Sequence, residues 1–249
     1  MAYLQITTKC NHRCPHCCYS CTMRGKHGDY STIIDAIAFA RNQDDSGITI
    51  GGGEPTLHPL FFGILECCLN DFDYVWMATN GSQTKSMYRL ANIINGCDYK
   101  SFECEDYCTC GSIDGEDCYC EPDYIYQENK LTVALSQDHF HDDIDSGIVD
   151  LWKRNANKHR HTGFEIRNIS NDVQAQGRAK KTGSGWGEHC VCSDLLIRPD
   201  GKIKLCGCTN SPIIGDIWSG ISDKYEKIIS SDKWYNADEQ CWNSIKRGK

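Results

Sequence analysis

Five cysteines crowd into the stretch KCNHRCPHCCYSC, residues 9 to 21, and two triplets within it share one spacing. Cys10, Cys14 and Cys17 read Cys-x3-Cys-x2-Cys, and so do Cys14, Cys18 and Cys21. Three thiolates can hold a 4Fe–4S cluster while leaving one iron open to another ligand. A structural zinc site asks for four protein ligands. Spacing alone admits both chemistries.

A second chemical stretch is Gly51-Gly52-Gly53-Glu54-Pro55. Glycines let a backbone approach a ligand closely, and Glu54 offers an acceptor for an ammonium group. A plain turn from strand to helix reads the same way. Further along, Cys108-x-Cys110 and Cys118-x-Cys120 flank the turn SIDGED, so four thiolates converging from a hairpin make a candidate zinc or cluster site. Cys190-x-Cys192 and Cys206-x-Cys208 form a similar set. The run Asp138-His139-Phe140-His141-Asp142-Asp143 has a metal-site composition, although a helix N-cap and first-turn acids account for its aspartates.

These residues need elements to position them. LQITT reads as a strand that runs into the first cysteines. STIIDAIAFARNQ is helical, with Ile33, Ile34, Ile37 and Ala38 on one face and Ser31 as N-cap. SGITI is a buried strand ending at the glycine run, PLFFGILECCL a helix burying Cys67 and Cys68, YVWMAT a strand, and KSMYRLANIIN a helix. After an acidic, cysteine-rich insertion over 97–130, LTVALS, DIDSGIVDLWKRNANK and GFEIRNIS resume as strand, helix and strand. Such alternation predicts parallel strands with right-handed crossovers. NDVQAQGRAKKTGSGWGE reads as a glycine-bearing loop, and DLLIRPDGKIKLC as a hairpin turning at Pro199-Asp200-Gly201.

The bulk properties fit this picture. The chain has 249 residues, enough for one sizeable core without disulfide staples. Its formal charge of −8 argues against a sequence-independent grip on nucleic acid, which needs Lys and Arg to neutralise phosphates. The N-terminus shows no signal peptide and no apolar run is long enough to span a bilayer, so a cytoplasmic protein without a membrane partner is expected. In that compartment thiols stay reduced, and 18 cysteines point to metal or redox chemistry.

CNHRCPHC after the first strand, followed by GGGEP after the second, resembles the radical S-adenosylmethionine (SAM) superfamily. The resemblance implies an α/β fold, a partial (β/α)6 barrel like that of TIM. It also implies a 4Fe–4S cluster on Cys10, Cys14 and Cys17, whose open iron takes the amino and carboxylate groups of S-adenosylmethionine. His16 fills the commonly aromatic place before the third cysteine, which favours this triplet and leaves Cys18 and Cys21 as bystanders or cluster scavengers. Gly52, Gly53 and Glu54 correspond to the motif that binds the methionine ammonium. Asn80, in Thr79-Asn80-Gly81, matches the family's third strand end. Ser136, with Asp138 beside it, matches the fourth, for the ribose or carboxylate of the cofactor. GRA at Gly177-Arg178-Ala179 matches weakly, and the resemblance spans residues 3–180 without the insertion.

The implied activity is reductive cleavage of S-adenosylmethionine to a 5′-deoxyadenosyl radical that abstracts a substrate hydrogen, with flavodoxin or ferredoxin as electron donor. Cys190, Gly201 and Cys206 are similar to the opening of SPASM or twitch extensions, which carry auxiliary clusters. The rest of a full SPASM pattern is absent and only Cys241 follows, so Cys190, Cys192, Cys206 and Cys208 are candidates for one auxiliary cluster or a zinc ion. The expected division is a core at 1–186 and a small cysteine-rich extension at 187–249. A peptide, protein or amino-acid-like substrate is the first expectation. The alternatives are a nucleobase or nucleoside, a small metabolite, or a different class altogether, a non-catalytic zinc-binding interaction module.

Overall fold

The computed structural model describes residues 2–43, 46–95, 130–137, 144–156, 163–167, 176–185 and 195–231. Strands β1 (Ala2–Thr7), β2 (Gly47–Gly52), β3 (Tyr74–Thr79), β4 (Leu131–Ser136) and β5 (Phe164–Arg167) alternate with helices α1 (Tyr30–Arg41), α2 (Phe61–Asp71), α3 (Thr84–Ile94) and α4 (Ser146–Ala156). A short 3-10 helix (Pro55–Leu57), helix α5 (Gly177–Thr182), β6 (Leu195–Ile197), β7 (Lys202–Lys204), β8 (Ile213–Asp216), β9 (Gly220–Ile221) and α6 (Asp223–Ile229) complete the described elements. One sheet runs β5-β4-β3-β2-β1-β6-β7-β8-β9. It is parallel from β5 through β6 and antiparallel beyond. The expected α/β architecture with parallel strands is what the chain adopts.

Alternation along each strand sorts side chains onto two faces. Leu4, Ile6, Ile48, Ile50, Val75, Met77, Val133 and Leu135 are buried against the helices, packing with Ile37, Ile64, Cys68, Leu90 and Trp152. Trp152 can sit there because its indole N–H donates to the carbonyl of Val133 at 3.1 Å. The opposite face carries Tyr3, Gln5, Thr49, Trp76, Thr132, Ser136, Glu165 and Arg167 in lateral register.

The structure corrects some of the sequence expectations. Residues 177–182, expected as loop, form α5, because Arg178-Ala179-Lys180-Lys181 are good helix formers. Gly177 at φ +53° and Gly183 at φ +68° supply the left-handed entry and exit that bracket it. Ser31 lies inside α1 and Asp29 takes the N-cap position, with no side-chain cap bond. The hairpin turns at Gly201 as expected, with φ +73°, but β6 pairs in parallel with β1 and so extends the barrel sheet. The insertion with Cys108, Cys110, Cys118 and Cys120 lies outside the described residues, as do Asp138, His139, His141, Cys190, Cys192 and Cys241. Among the described residues no helix is long and apolar enough to cross a membrane.

Candidate active site

The cysteine loop leaves β1 and returns beside it. Thr8 N–H donates to the carbonyl of Lys26 at 2.8 Å and Cys10 N–H to that of Thr22 at 3.0 Å, so the loop is closed at its neck. Within it, Cys17 N–H donates to the carbonyl of Cys14 at 3.1 Å, which makes a tight turn over Pro15 and His16. Ser20 takes a left-handed φ of +56°, uncommon for a residue other than glycine, and the chain then enters the interior at Cys21. Cys10, Cys14, Cys17 and Cys18 are half-buried and Cys21 is buried, all as free thiols.

The glycine run is required by the side chain and backbone packed beside it. A Cβ on Gly51 would lie 1.9 Å from the phenol oxygen of Tyr3, and one on Gly53 would lie 2.1 Å from the carbonyl oxygen of Lys9. Gly52 N–H donates to the Tyr3 hydroxyl at 3.1 Å. Gly53 N–H donates to Thr7 and Glu54 N–H to Lys9, at 2.8 and 2.9 Å, which presses the end of β2 against the root of the cysteine loop. Burial is the main reason the Tyr3 phenol is pushed up to about 12.

Glu54 is 1% exposed, and its carboxylate ties together the ends of two strands. Oε1 accepts from Thr56 N–H (3.1 Å), the Thr56 hydroxyl (2.5 Å) and the Thr79 hydroxyl (2.8 Å), and Oε2 accepts from Asn80 N–H at 2.7 Å. Oε2 therefore keeps the larger share of the acceptor capacity for an ammonium group. Asn80 carries the connection onward. Its Nδ2 donates to Asn11 Oδ1 at 3.0 Å and lies 3.9 Å from Cys10 Sγ, and its Oδ1 accepts from Ser82 N–H at 3.0 Å.

The thiols differ electrostatically. A hydrogen bond from the Cys21 thiol holds Cys17 down to about 6, against the opposing effect of burial. The same bond pushes Cys21 up, with burial adding to it. Burial is the main cause that raises Cys10, with the nearby charge of Glu54 contributing in the same direction. Cys21 Sγ also lies 3.7 Å from the carbonyl oxygen of Gly52, so it fills the space between the loop and the glycine run.

The predicted residues thus fall into three groups. Cys10, Cys14, Cys17, His16, Gly52, Gly53, Glu54 and Asn80 share one end of the sheet, on the loops after β1, β2 and β3. Ser136 ends β4, half-buried and paired with Arg167. Cys206 and Cys208 are buried just past β7, where Cys206 N–H donates to the Ser211 hydroxyl at 3.0 Å and Ser211 N–H to the carbonyl of Cys208 at 3.0 Å. Tyr3 was missed by sequence reasoning, and Thr79 entered it only as the first residue of Thr79-Asn80-Gly81, with no role of its own. Strand alternation could have placed Tyr3 on the inner face, and Thr79 directly precedes Asn80.

Three thiolates are soft donors of the kind that suit an iron–sulfur cluster, and Cys10, Cys14 and Cys17 share one loop beside the glycine run, but among the described residues no three Cys, His, Asp or Glu side chains are drawn together closely enough to hold a metal ion. Comparison with known proteins gives the following. Residues 4–98 match the model of the Radical SAM superfamily. The fold is similar to that of native anSMEcpe with bound AdoMet, at TM-score 0.52 and 13% identity over 94% of this chain and 82% of that one. The hexahistidine-tagged form of anSMEcpe with bound AdoMet matches at TM-score 0.50 and 13% identity, over 94% of this chain and 81% of that one. BtrN in complex with AdoMet and 2-DOIA matches at TM-score 0.49 and 12% identity, over 94% and 83%. No curated protein sequence matches the chain. The motif-bearing loops, the family match and the fold agree: residues 4–98 carry a stretch that matches the Radical SAM superfamily, on a fold like that of AdoMet-bound anSMEcpe.

Proposed function

We propose that Cys10, Cys14 and Cys17 hold the cluster, that Gly52, Gly53 and Glu54 receive the methionine ammonium with Asn80 beside them, and that Ser136 serves the ribose or carboxylate. Bound there, the cluster and S-adenosylmethionine supply a hydrogen-abstracting 5′-deoxyadenosyl radical, with the electron coming from a flavodoxin or ferredoxin. The observation that carries this reading is the continuous tie from Glu54 through Asn80 to Cys10, which couples the glycine edge to the thiol loop. The chain's part is to hold these two surfaces at a fixed separation and to keep the inner face of the barrel available to a substrate.

The substrate we propose is a peptide, protein or amino-acid-like molecule. Glu165 and Arg167 lie on the inner face of β5 with one residue between them, about 6.7 Å apart along the strand. Their opposite charges complement an ammonium and a carboxylate. Trp76 Nε1 donates to Glu165 Oε2 at 2.9 Å, which orients the carboxylate and leaves Oε1 for the substrate. Cys206 and Cys208, with Cys190 and Cys192, are proposed as an auxiliary cluster or zinc site, and the Cys108, Cys110, Cys118 and Cys120 set as a second metal site.

Protein purified and reconstituted without oxygen is expected to be brown, absorbing near ~400 nm. On reduction it should form 5′-deoxyadenosine and take deuterium from labelled peptide or amino-acid substrates. Cys14→Ala abolishes that formation and spares any zinc. Undiminished cleavage by Cys14→Ala, or colourless protein holding zinc alone, rejects the proposal, and deuterium transfer from a nucleoside alone rejects the substrate assignment.

A further inference from the structure

The cysteine loop contains no helix and no regular strand, so its carbonyls need donors from elsewhere. Several arrive from α5, which follows the fifth strand. Arg178 Nη1 donates to the carbonyl of Cys14 at 2.9 Å, Nη2 to that of Cys21 at 2.5 Å, and the Arg178 backbone N–H to that of Cys17 at 3.0 Å. One turn on, the Thr182 hydroxyl donates to the carbonyl of Pro15 at 3.0 Å. The helix can come this close because Gly177 has no side chain: a Cβ there would lie 2.0 Å from the carbonyl oxygen of Cys18. Every carbonyl named belongs to the segment from Cys14 to Cys21.

We propose that Arg178 is the positioning residue of the cluster loop, its guanidinium fork clamping the two limbs of the Cys14–Cys21 segment so that the thiols are preset for the cluster. This rests on the reading that Cys10, Cys14 and Cys17 are the ligands. A planar fork with fixed donors can span two carbonyls at once, whereas an ammonium presents one compact charge. The side-chain partners of Arg178 given above are both carbonyls, so no carboxylate among them cancels its charge. That positive charge stands inside the loop that carries the thiols, held against the carbonyls of Cys14 and Cys21. It favours the more negative, reduced state of a cluster bound to those thiols, because net charge near the sulfurs helps set the potential. Arg178 thus has a geometric and an electrostatic role, and neither requires it to touch the substrate.

The test uses full-length protein reconstituted anaerobically as the parent, Arg178→Ala, Arg178→Lys and, as a control on the exposed side of α5, Lys181→Ala. Three quantities are read: iron retained per chain against a chelator, the electron paramagnetic resonance signal of the reduced cluster, and its midpoint potential. Arg178→Ala is expected to lose iron about 10-fold faster or more, the usual scale for groups that support metal ligands, and to shift to a more negative potential. Arg178→Lys should keep the potential near the parent's yet lose iron on the faster timescale, since charge survives and the fork does not. Lys181→Ala should match the parent throughout. Parent-like retention in either Arg178 variant overturns the proposal, as does a parent-like potential in Arg178→Ala. If Arg178→Ala does not fold, Arg178→Lys decides by retention alone. A parent protein that takes up no iron instead rejects the ligand reading on which the proposal stands.

Discussion

Glu54→Gln separates two roles that the glycine edge assigns to one carboxylate. If Glu54 only received an ammonium, its replacement would weaken cofactor binding and leave the empty protein as stable as before. The structure requires more. Its oxygens take hydrogen bonds from two backbone N–H groups, Thr56 and Asn80, and from two threonine hydroxyls, all in a site 1% exposed. A glutamine amide has one acceptor oxygen, and Oε1 and Oε2 face different backbone donors. Either amide orientation therefore leaves one backbone N–H, that of Asn80 or that of Thr56, facing another donor. The hydroxyls can rotate to accept, but a backbone N–H cannot. A stranded buried donor costs roughly 1–3 kcal/mol, and the surviving bonds lose their charge assistance. The expected loss is about 2–4 kcal/mol, a sizeable share of a typical domain stability of roughly 5–15 kcal/mol. Urea unfolding under anaerobic conditions, without added S-adenosylmethionine, measures it directly. A Glu54→Gln protein within about 0.5 kcal/mol of the parent would refute the reasoning and leave ammonium binding as the only role for Glu54.

The same backbone packing makes Gly53→Ala costly. Its Cβ would meet the Lys9 carbonyl at 2.1 Å, and backbone atoms cannot swing away as a side-chain end would, so about 3 kcal/mol and reduced iron uptake are expected. Gly183→Ala, at φ +68° with nothing within 4 Å of the added atom, should cost only about 1 kcal/mol of backbone strain. Equal unfolding midpoints for the two variants would contradict this account. For Tyr3 the prediction is a pH dependence. The phenol ionises near its ordinary 10.0 in the unfolded chain and near 12 in the fold, where burial raises it. The folded state therefore binds the proton more tightly, so stability is full below pH 10.0 and falls as pH rises toward 12. Tyr3→Phe should flatten that decline in urea titrations at successive alkaline pH values, and an unchanged slope would remove Tyr3 as its source.

The alternation of strands and helices was legible because each strand carries apolar residues at every second position and each helix carries them on one face. For β3 and β4 even the bounds agree, at Tyr74–Thr79 and Leu131–Ser136. Helix α5 was obscured by its flanking glycines, which read as loop signals until their φ angles show that they start and stop a helix. Strands β8 and β9 and helix α6 were missed because they are two to seven residues long and too short to show a period. The thiol loop and the glycine run stood out because each is contiguous. The ties between them are not local. Glu54 reaches Asn80 across 26 positions and Arg178 reaches Cys14 across 164, separations at which spacing carries no information.

Cys18 and Cys21 show why spacing could not give every thiol in the loop its place. Both triplets satisfy the same interval, so a reading of intervals treats Cys10 and Cys21 as equivalent ends. In the fold they face different neighbours. Cys10 lies beside Asn80 and, through it, Glu54, whereas Cys21 is 3% exposed and sits between the Cys17 sulfur and the Gly52 carbonyl. Its carbonyl is also one of the two gripped by Arg178. A thiol packed this way is out of reach of solvent oxidants and is suited to donating a hydrogen bond to the sulfur of Cys17. Under the ligand assignment proposed above, that bond would be among the factors that set the cluster's potential. Cys21 thus has a physical reason to lie so close to Cys17: it fills the space behind that sulfur and supplies a donor that a bulkier or apolar side chain could not.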